Sequence, residues 1–332
     1  MAPEPAQPLL ELVDVHKQFT ARRAVFASGG EQIVRAVDGV SFRLARGETL
    51  GLVGETGCGK TTTGRLITRL LTPDSGEVRF DGQDIGRLSK RELKPFRTRI
   101  QMVFQDPLDS LNPRRDVGRT VAMPLRLLGH DAASAVKRVE ELFERVGLSR
   151  MHLSRFPHEL SGGQRQRVGI ARALATDPDL IVCDEPVSAL DVSVQAQVIN
   201  LLQDLQQQLG LAYVFIGHDL AVVRQICDRI AVMYLGRIME IAARDALYER
   251  PQHPYTQALL SAAPIPDPQL QQARRRRKLT GEPPSPIDPP PGCRFHTRCW
   301  KAQEVCRVVE PPGLAVGESV QVACHFPEEH ES

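Results

Sequence analysis

Gly54-Glu55-Thr56-Gly57-Cys58-Gly59-Lys60-Thr61 matches the phosphate-loop pattern G-x-x-x-x-G-K-[ST], and this stretch is called the P-loop below. Residues 48–53 before it are mostly apolar and predict a short buried strand. From Thr61 onward the sequence predicts a helix with an apolar stripe formed by Leu66, Ile67, Leu70 and Leu71. Backbone N–H groups of a glycine-rich loop at a helix N-terminus bind nucleotide phosphates. The flanking strand and helix favour this function over a chance glycine-rich turn.

A second predicted anion site lies far downstream, at residues 160–164 (Leu-Ser-Gly-Gly-Gln). Ser161 is placed to cap a helix, and Gly162 and Gly163 let a phosphate approach the backbone. The helical pattern that follows has these apolar positions: Val168, Ile170, Ala171 and Leu174. Two phosphate motifs in one chain predict that the nucleotide is clamped between two chains of a dimer.

Two adjacent carboxylates follow an apolar run at residues 179–183. Such a run is typical of a buried parallel strand, whose carboxyl end is where α/β sheets bind ligands. Asp184 is predicted to hold Mg²⁺ and Glu185 to polarise an attacking water. Alone, the pair is equally consistent with a solvated turn, and the upstream P-loop favours the catalytic interpretation.

The order of motifs from Leu9 to Gln252 resembles that of an ABC transporter nucleotide-binding subunit. The resemblance implies that Gln105 contacts Mg²⁺ and the attacking water, and that His218 contacts the γ-phosphate. Residues 161–164 match the ABC signature of that family, and the resemblance implies that this signature faces ATP on the partner chain. Phe19 lies near the position that stacks on adenine, although a core aromatic is the alternative. The residues implied to contact ATP are Phe19, Gly54, Glu55, Thr56, Gly57, Cys58, Gly59, Lys60, Thr61, Thr62, Gln105, Ser161, Gly162, Gly163, Gln164, Asp184 and Asp191.

In that family Mg²⁺ is held by groups that correspond here to Thr61, Gln105 and Asp184, and the residues implied to be catalytic are Gln105, Glu185 and His218. The predicted fold is α/β: a P-loop NTPase of the ABC type with a helical subdomain and a small cysteine-rich C-terminal extension. We expect the ATPase domain at residues 1–250, its helical subdomain at about residues 107–160, and the extension at residues 251–332. The resemblance implies that the helical subdomain contacts membrane subunits. Its amphipathic pattern comprises Val136, Val139, Leu142, Phe143 and Val146.

Composition limits the compartment and the partners of this chain of 332 residues. Lysine and arginine total 42 against 40 aspartate and glutamate, so bulk charge does not indicate nucleic-acid binding. No apolar run reaches the roughly 20 residues that span a bilayer, and the N-terminus lacks the features of a signal peptide. These features predict a chain that stays in the cytosol. The resemblance to a transporter subunit implies that it is a peripheral protein on the cytoplasmic side of the inner membrane, bound there through partner subunits. The basic run at residues 274–278 favours a solvated linker over a lipid or nucleic-acid patch, and the proline-rich tract at residues 282–292 predicts an extended chain.

Four cysteines lie close together near the end of the sequence: Cys293, Cys299, Cys306 and Cys324. In a reducing cytosol such a group favours metal binding over disulfides, with zinc and an iron–sulfur cluster as the candidates. The spacings are wider than in a usual zinc ribbon. Four unpaired structural thiols are the alternative.

The C-terminal sequence resembles the extension of dipeptide and oligopeptide permease ATPases. The resemblance rests on Pro-x-His-Pro-Tyr-Thr at residues 251–256, Gly-Glu-x-Pro-Ser-Pro at 281–286, and Gly-Cys-x-Phe-x-x-Arg-Cys at 292–299. Residues 185–197 are similar to the F-type ATPase subunit of those importers. The resemblance implies a [4Fe–4S] cluster on the four cysteines. The implied partners are a second ATPase subunit in a heterodimer, two membrane permease subunits and a solute-binding protein.

The function predicted from these features is an ATP-hydrolysing subunit that powers peptide uptake. Relatives of this type also move nickel, glutathione or sugars, so the solute is open. A soluble ABC ATPase of translation or DNA repair is disfavoured, because the chain has one P-loop, one signature and no heptad run. A C-terminal region acting as an independent binding module is a third alternative.

Overall fold

The computed structural model describes residues 7–21, 32–106, 111–262, 281–316 and 320–328. Contacts divide the chain into two compact units. The first unit comprises residues 1–44, 50–87 and 217–332, and the second comprises residues 45–49 and 88–216. The strands of the described residues are β1 (Leu10–Ala21), β2 (Gln32–Leu44), β3 (Thr49–Val53), β4 (Ser75–Phe80), β5 (Gln83–Asp84), β6 (Ile100–Val103), β7 (Leu180–Asp184), β8 (Ala212–Gly217), β9 (Arg229–Tyr234), β10 (Arg237–Ala243), β11 (Gly313–Val316) and β12 (Val320–Ala323).

The α-helices of the described residues are α1 (Lys60–Ile67), α2 (Lys94–Arg99), α3 (Val117–Leu127), α4 (Ala132–Arg145), α5 (Gly162–Leu174), α6 (Val192–Leu209), α7 (Leu220–Ile226), α8 (Arg244–Glu249), α9 (Pro254–Ala262) and α10 (Glu304–Val308). Short 3₁₀ turns lie at Arg150–His152, Pro157–Glu159 and His296–Arg298. Among these residues, no helix is both long and apolar enough to cross a membrane.

The first unit contains two groups of strands. An antiparallel sheet has the order β2-β1-β4-β5, and its inner face buries Leu10, Leu12 and Val15. The other strands follow the order β11-β12-β10-β9-β3. Strand β3 pairs with β9 in parallel, whereas the pairs β9–β10, β10–β12 and β12–β11 are antiparallel. The P-loop therefore leaves the carboxyl end of a strand that is paired in parallel, where ligands bind in α/β sheets.

The second unit contains parallel strands in the order β8-β7-β6. All residues of β7 are buried, which confirms the predicted buried strand before the two carboxylates. Helices α3 and α4 fall inside the predicted helical segment. The core face of α4 carries Ala135, Val139 and Leu142, spaced four and three residues apart. Val136 is 51 % exposed, so its predicted place on this face is wrong: one residue further along a helix points about 100° away.

The helix after the P-loop is shorter than the sequence predicts. Helix α1 buries Leu66 and Ile67 and ends at Ile67. Arg69 has a left-handed φ of 53°, which turns the chain out of the helix. Leu70 is consequently 57 % exposed, so the predicted stripe is right for its first two residues and wrong for Leu70. The proline-rich residues 282–292 contain neither helix nor strand. The basic run at residues 274–278 lies outside the described residues.

Candidate functional site

The P-loop joins the end of β3 to the start of α1, as predicted. Its glycines Gly54, Gly57 and Gly59 have φ angles of 152°, 80° and 108°. A Cβ atom on Gly54 would overlap the carbonyl oxygen of Met233, and one on Gly59 would overlap that of Ala36. Both positions thus require glycine, because the backbone conformation and the close approach of neighbouring strands each exclude a side chain.

Lys60 is folded over the loop that precedes it. Its ammonium donates hydrogen bonds to the carbonyl oxygens of Gly54 at 2.8 Å and Glu55 at 3.0 Å. The side chain is 5 % exposed, and Nζ lies 3.8 Å from the Cys58 sulfur. Lys60 is thus a buried cation whose hydrogen-bond acceptors are the P-loop's own backbone, and it places positive charge at the N-terminus of α1.

The other P-loop side chains differ in exposure. Thr56 and Gly57 are exposed, whereas Thr61 and Thr62 are half-buried in the first turn of α1. Burial raises the pKa of the Cys58 thiol, although the nearby Lys60 ammonium opposes the shift. Cys58 is therefore a protonated packing group and lacks the thiolate that a reactive cysteine needs.

The two predicted catalytic residues of the second unit are in direct contact. Gln105 Nε2 donates a hydrogen bond to Glu185 Oε2 at 3.1 Å. Glu185 follows the buried Asp184 at the end of β7 and has a left-handed φ of 45°. Its backbone N–H donates to the carbonyl of Ile216 at 3.0 Å. A left-handed non-glycine residue costs on the order of 1 kcal/mol, and such strain concentrates at functional sites.

The second phosphate motif is a capped helix N-terminus, as predicted. Ser161 Oγ accepts from the Gln164 backbone N–H at 3.3 Å, and Gln164 Oε1 accepts from the Ser161 N–H at 2.9 Å. Gln164 Nε2 lies 3.2 Å from His152 Nε2. A Cβ atom on Gly163 would collide with the Val194 side chain, and one on Gly162 would lie 3.1 Å from Leu190. The two glycines therefore allow α5 to pack closely on the segment that begins α6.

Three further predicted residues lie at the surface. Asp191 caps α6 by accepting from the Val194 N–H at 3.0 Å, and a hydrogen bond from Ser193 lowers the pKa of Asp191. His218 is exposed directly after β8. Phe19 lies on β1 and is 39 % exposed, with the Lys17 ammonium 5.7 Å from its ring centroid.

The four C-terminal cysteines line one small cavity, together with aromatic side chains such as Phe295 and Phe326. Across the described part of the chain, however, no three His, Cys, Asp or Glu side chains are arranged to hold a metal ion. The predicted [4Fe–4S] cluster, and metal binding by these cysteines in general, is therefore wrong. Burial raises the pKa of Cys293 to about 11 and also raises that of Cys299 and Cys324. In the structure as described, these thiols are therefore protonated.

Sequence reasoning did not find two residues that contact the P-loop. Arg298 forms an ion pair with the Glu55 carboxylate, and the Tyr255 hydroxyl accepts a hydrogen bond from the Glu55 backbone N–H. Both residues fall in segments that the sequence singled out for their family pattern alone. The contacts span 243 and 200 residues, so no local signal links them to the loop.

Family models match the chain in two places. The ABC transporter model covers residues 37–188, and the model of the oligopeptide/dipeptide transporter C-terminal region covers residues 239–306. The oligopeptide transport ATP-binding protein AppF of Bacillus subtilis is 52 % identical over 96 % of this chain and 97 % of its own length. The dipeptide transport ATP-binding protein DppF of Escherichia coli is 48 % identical over 98 % of this chain and 96 % of its own length.

Solved structures agree with these sequence matches. The ATP-binding cassette MJ0796, a dimer in a post-hydrolysis state with ADP and Pi, superposes with a TM-score of 0.62 at 30 % identity. The superposition covers 71 % of this chain and 98 % of the cassette. CbiO1 of Clostridium perfringens, part of the ABC transporter complex cbiONQ, has a TM-score of 0.62 at 27 % identity, covering 73 % of this chain and 90 % of cbiO1.

Proposed function

The chain belongs to the ATP-binding proteins of ABC transporters, and from this we propose that it is the ATP-hydrolysing subunit of an importer of dipeptides or oligopeptides. The observation that carries the proposal is similarity along nearly the whole chain to peptide-transport ATP-binding proteins, at 48 % and 52 % identity. The match to the C-terminal region of oligopeptide and dipeptide transporters adds independent support. A soluble ABC ATPase of translation or repair has no such support.

ATP is bound first by the P-loop in this proposal. The backbone amides of residues 54–59 surround the phosphates, and Lys60 moves from its carbonyl acceptors to the β- and γ-phosphate oxygens. Thr61, Gln105 and Asp184 offer only oxygen donors, which suit the hard cation Mg²⁺. The ion, when bound, neutralises charge on the phosphate oxygens. Thr62 and the exposed Phe19 complete the contacts, the latter by stacking on adenine.

Hydrolysis is assigned to Glu185, Gln105 and His218. The hydrogen bond from Gln105 Nε2 at 3.1 Å orients the Glu185 carboxylate, and the Glu185 backbone is held in a left-handed conformation. Glu185 polarises the attacking water and accepts its proton, while His218 contacts the γ-phosphate. Support comes from the buried strand that places the carboxylates at its carboxyl end.

The signature residues complete a site on a second ATPase subunit, which we propose is a different chain. Ser161, Gly162, Gly163 and Gln164 supply a helix N-terminus for the partner's γ-phosphate. Asp191, at the start of α6, lies at the same subunit boundary in this proposal. The solved dimeric cassette MJ0796, at 30 % identity, supports dimerisation of this type.

Two membrane permease subunits and a solute-binding protein complete the importer, so the chain acts on the cytoplasmic face of the membrane. A cavity of about 700 Å³ in the second unit supports a docking surface for a permease subunit. Its apolar wall includes Met123, Pro124 and Leu127, the last of which is 75 % exposed. The cationic side chains that line it are Lys90, Arg91, Lys94, Arg97 and Arg172. A permease segment with an apolar face and acidic flanks fits this surface.

The transported solute is identified by measuring solute uptake in cells from which the gene for this chain has been deleted. Complementation with the wild type is expected to restore uptake of labelled dipeptide and oligopeptide, whereas Glu185→Gln restores neither. Uptake of nickel, glutathione and sugars is expected to be independent of the chain. Dependence of one of those solutes instead of peptides would contradict the proposal, as would co-purification with ribosomes rather than with membrane subunits.

A further inference from the structure

We propose that Arg298 is a positioning residue of the P-loop: it holds and neutralises the Glu55 carboxylate so that the loop accepts the triphosphate of ATP. The inference rests on the proposed binding of ATP by the P-loop. It assigns to the C-terminal segment (residues 281–316) a part in nucleotide binding that acts through Glu55.

The contact between Arg298 and Glu55 is bidentate. Arg298 Nη1 donates to Glu55 Oε2 at 2.7 Å, and Nη2 donates to Oε1 at 3.0 Å. The Arg298 side chain is 5 % exposed and the Glu55 side chain 23 %. The Glu55 hydrogen bonds raise the pKa of Arg298, so the guanidinium stays charged throughout the physiological range. Paired, planar hydrogen bonds of this kind fix both the charge and the direction of a carboxylate.

A second contact holds the backbone of the same P-loop residue. The Glu55 N–H donates to the Tyr255 hydroxyl at 3.0 Å, and the Tyr255 side chain is fully buried. The rings of Tyr255, Tyr234 and Phe295 are packed together, with centroids 4.7 to 5.5 Å apart. This cluster immobilises the hydroxyl, and Phe295 immediately precedes the 3₁₀ turn that carries Arg298. Glu55 is therefore held through its side chain and its main chain at once.

The charge of Glu55 explains why the loop needs such a partner. A carboxylate inside a loop that binds a polyanion repels the ligand, and partial burial increases this repulsion by lowering the effective dielectric constant. Arg298 neutralises the negative charge of the Glu55 carboxylate through the two paired hydrogen bonds. In this proposal the guanidinium acts on Glu55 and does not bind the phosphates of ATP itself. Loss of the arginine alone leaves an unpaired carboxylate, whereas loss of both charges removes the repulsion.

The same segment carries a second buried arginine, which provides a matched control. Arg294 is 5 % exposed and pairs with Asp38 on β2, so it ties the segment to the sheet without contacting the P-loop. Arg294 and Arg298 lie four residues apart in the same segment, and replacement of either one removes a buried guanidinium. Of these two arginines, only Arg298 contacts the P-loop.

The test measures KM for ATP, kcat and thermal unfolding of the full chain with its partner subunit. Arg298→Gln is expected to raise KM about tenfold with kcat within about twofold, because ground-state binding is lost. Adding Glu55→Gln to that variant is expected to bring KM back to within about threefold of the wild type. Arg298→Lys, which keeps the charge but not the paired geometry, should give an intermediate KM. Arg294→Gln should lower the unfolding temperature and leave KM unchanged.

The inference is overturned if Arg298→Gln binds ATP as the wild type does, if the double variant shows no recovery, or if Arg294→Gln raises KM equally. An equal rise of KM in Arg294→Gln would mean that residues 281–316 affect ATP binding only by packing against the rest of the first unit. If Arg298→Gln does not fold, the Arg298→Lys variant decides: an unchanged KM for ATP in that variant overturns the inference. A wild-type complex that fails to bind ATP would instead refute the proposed function.

Discussion

The side chains of Gln105 and Glu185 are joined by a hydrogen bond of 3.1 Å, although they lie 80 residues apart. The bond uses Gln105 Nε2 and leaves the Gln105 amide oxygen for a cation. Its acceptor is Glu185 Oε2, one of the two oxygens of that carboxylate. The pair thus has one group suited to Mg²⁺ and one suited to proton transfer.

Glu185→Gln is expected to reduce ATP hydrolysis about 100-fold or more and to leave ATP binding intact. The amide has the shape of the carboxylate but cannot accept a proton. Turnover and binding of a fluorescent ATP analogue are the measurements. Glu144→Gln, at a half-exposed glutamate of α4, is the control and should hydrolyse normally. Wild-type turnover by Glu185→Gln would remove the role assigned to this carboxylate.

Ser161→Ala removes a helix cap and, in our proposal, a ligand of the partner's phosphate. Loss of the cap costs about 1 kcal/mol of stability. Asp131→Ala, which removes the cap of α4, should cost a similar amount. Only Ser161→Ala is expected to weaken ATP-dependent dimerisation, measured by size-exclusion chromatography of the Glu185→Gln background. Equal effects of the two variants on dimerisation would show that capping alone matters.

Gly163→Ala is expected to destabilise the fold by about 1–3 kcal/mol, because the new methyl group meets the Val194 side chain. The second substitution Val194→Ala should recover most of this loss. Gly169→Ala lies in the same helix and has open space at its Cβ position, so it should be neutral or stabilising by up to about 1 kcal/mol. Denaturant unfolding measures all three. Equal losses for Gly163→Ala and Gly169→Ala would contradict the packing explanation.

His253 makes stability depend on pH. Burial lowers the pKa of its imidazole from 6.5 to about 3, so the folded protein holds the ring neutral. Between these values the unfolded chain binds a proton that the folded chain does not, so stability falls as pH decreases below 6.5. The loss is on the order of 1 kcal/mol per pH unit.

His253→Asn should flatten this pH dependence, because the amide oxygen replaces the Nδ1 atom that accepts from the Tyr255 N–H at 3.0 Å. Denaturant unfolding between pH 4 and 7 is the measurement. His130→Asn, at an exposed histidine, is the control and should keep the wild-type profile. An unchanged profile in His253→Asn would show that other groups cause the acid sensitivity.

Motifs with short-range interactions were predicted well. The Ser161–Gln164 cap needs only residues three apart, and the β7 strand is visible as a continuous apolar run. Errors arose where a pattern had to be extended or its chemistry inferred. The helix after the P-loop ends at Ile67 because Arg69 turns left-handed. The cysteines line one small cavity, yet within the described ranges no three His, Cys, Asp or Glu side chains are arranged to hold a metal ion.

The sequence by itself determined the P-loop, the buried strand before Asp184 and the capped signature helix. Each follows from backbone preferences and apolar periodicity within about 15 residues. Only the tertiary structure revealed that Glu55 is held by Arg298 and Tyr255, and that Gly163 must stay small beside Val194. Such pairs depend on how distant segments pack. Packing is decided by the shape and burial of many side chains together, which no local pattern records.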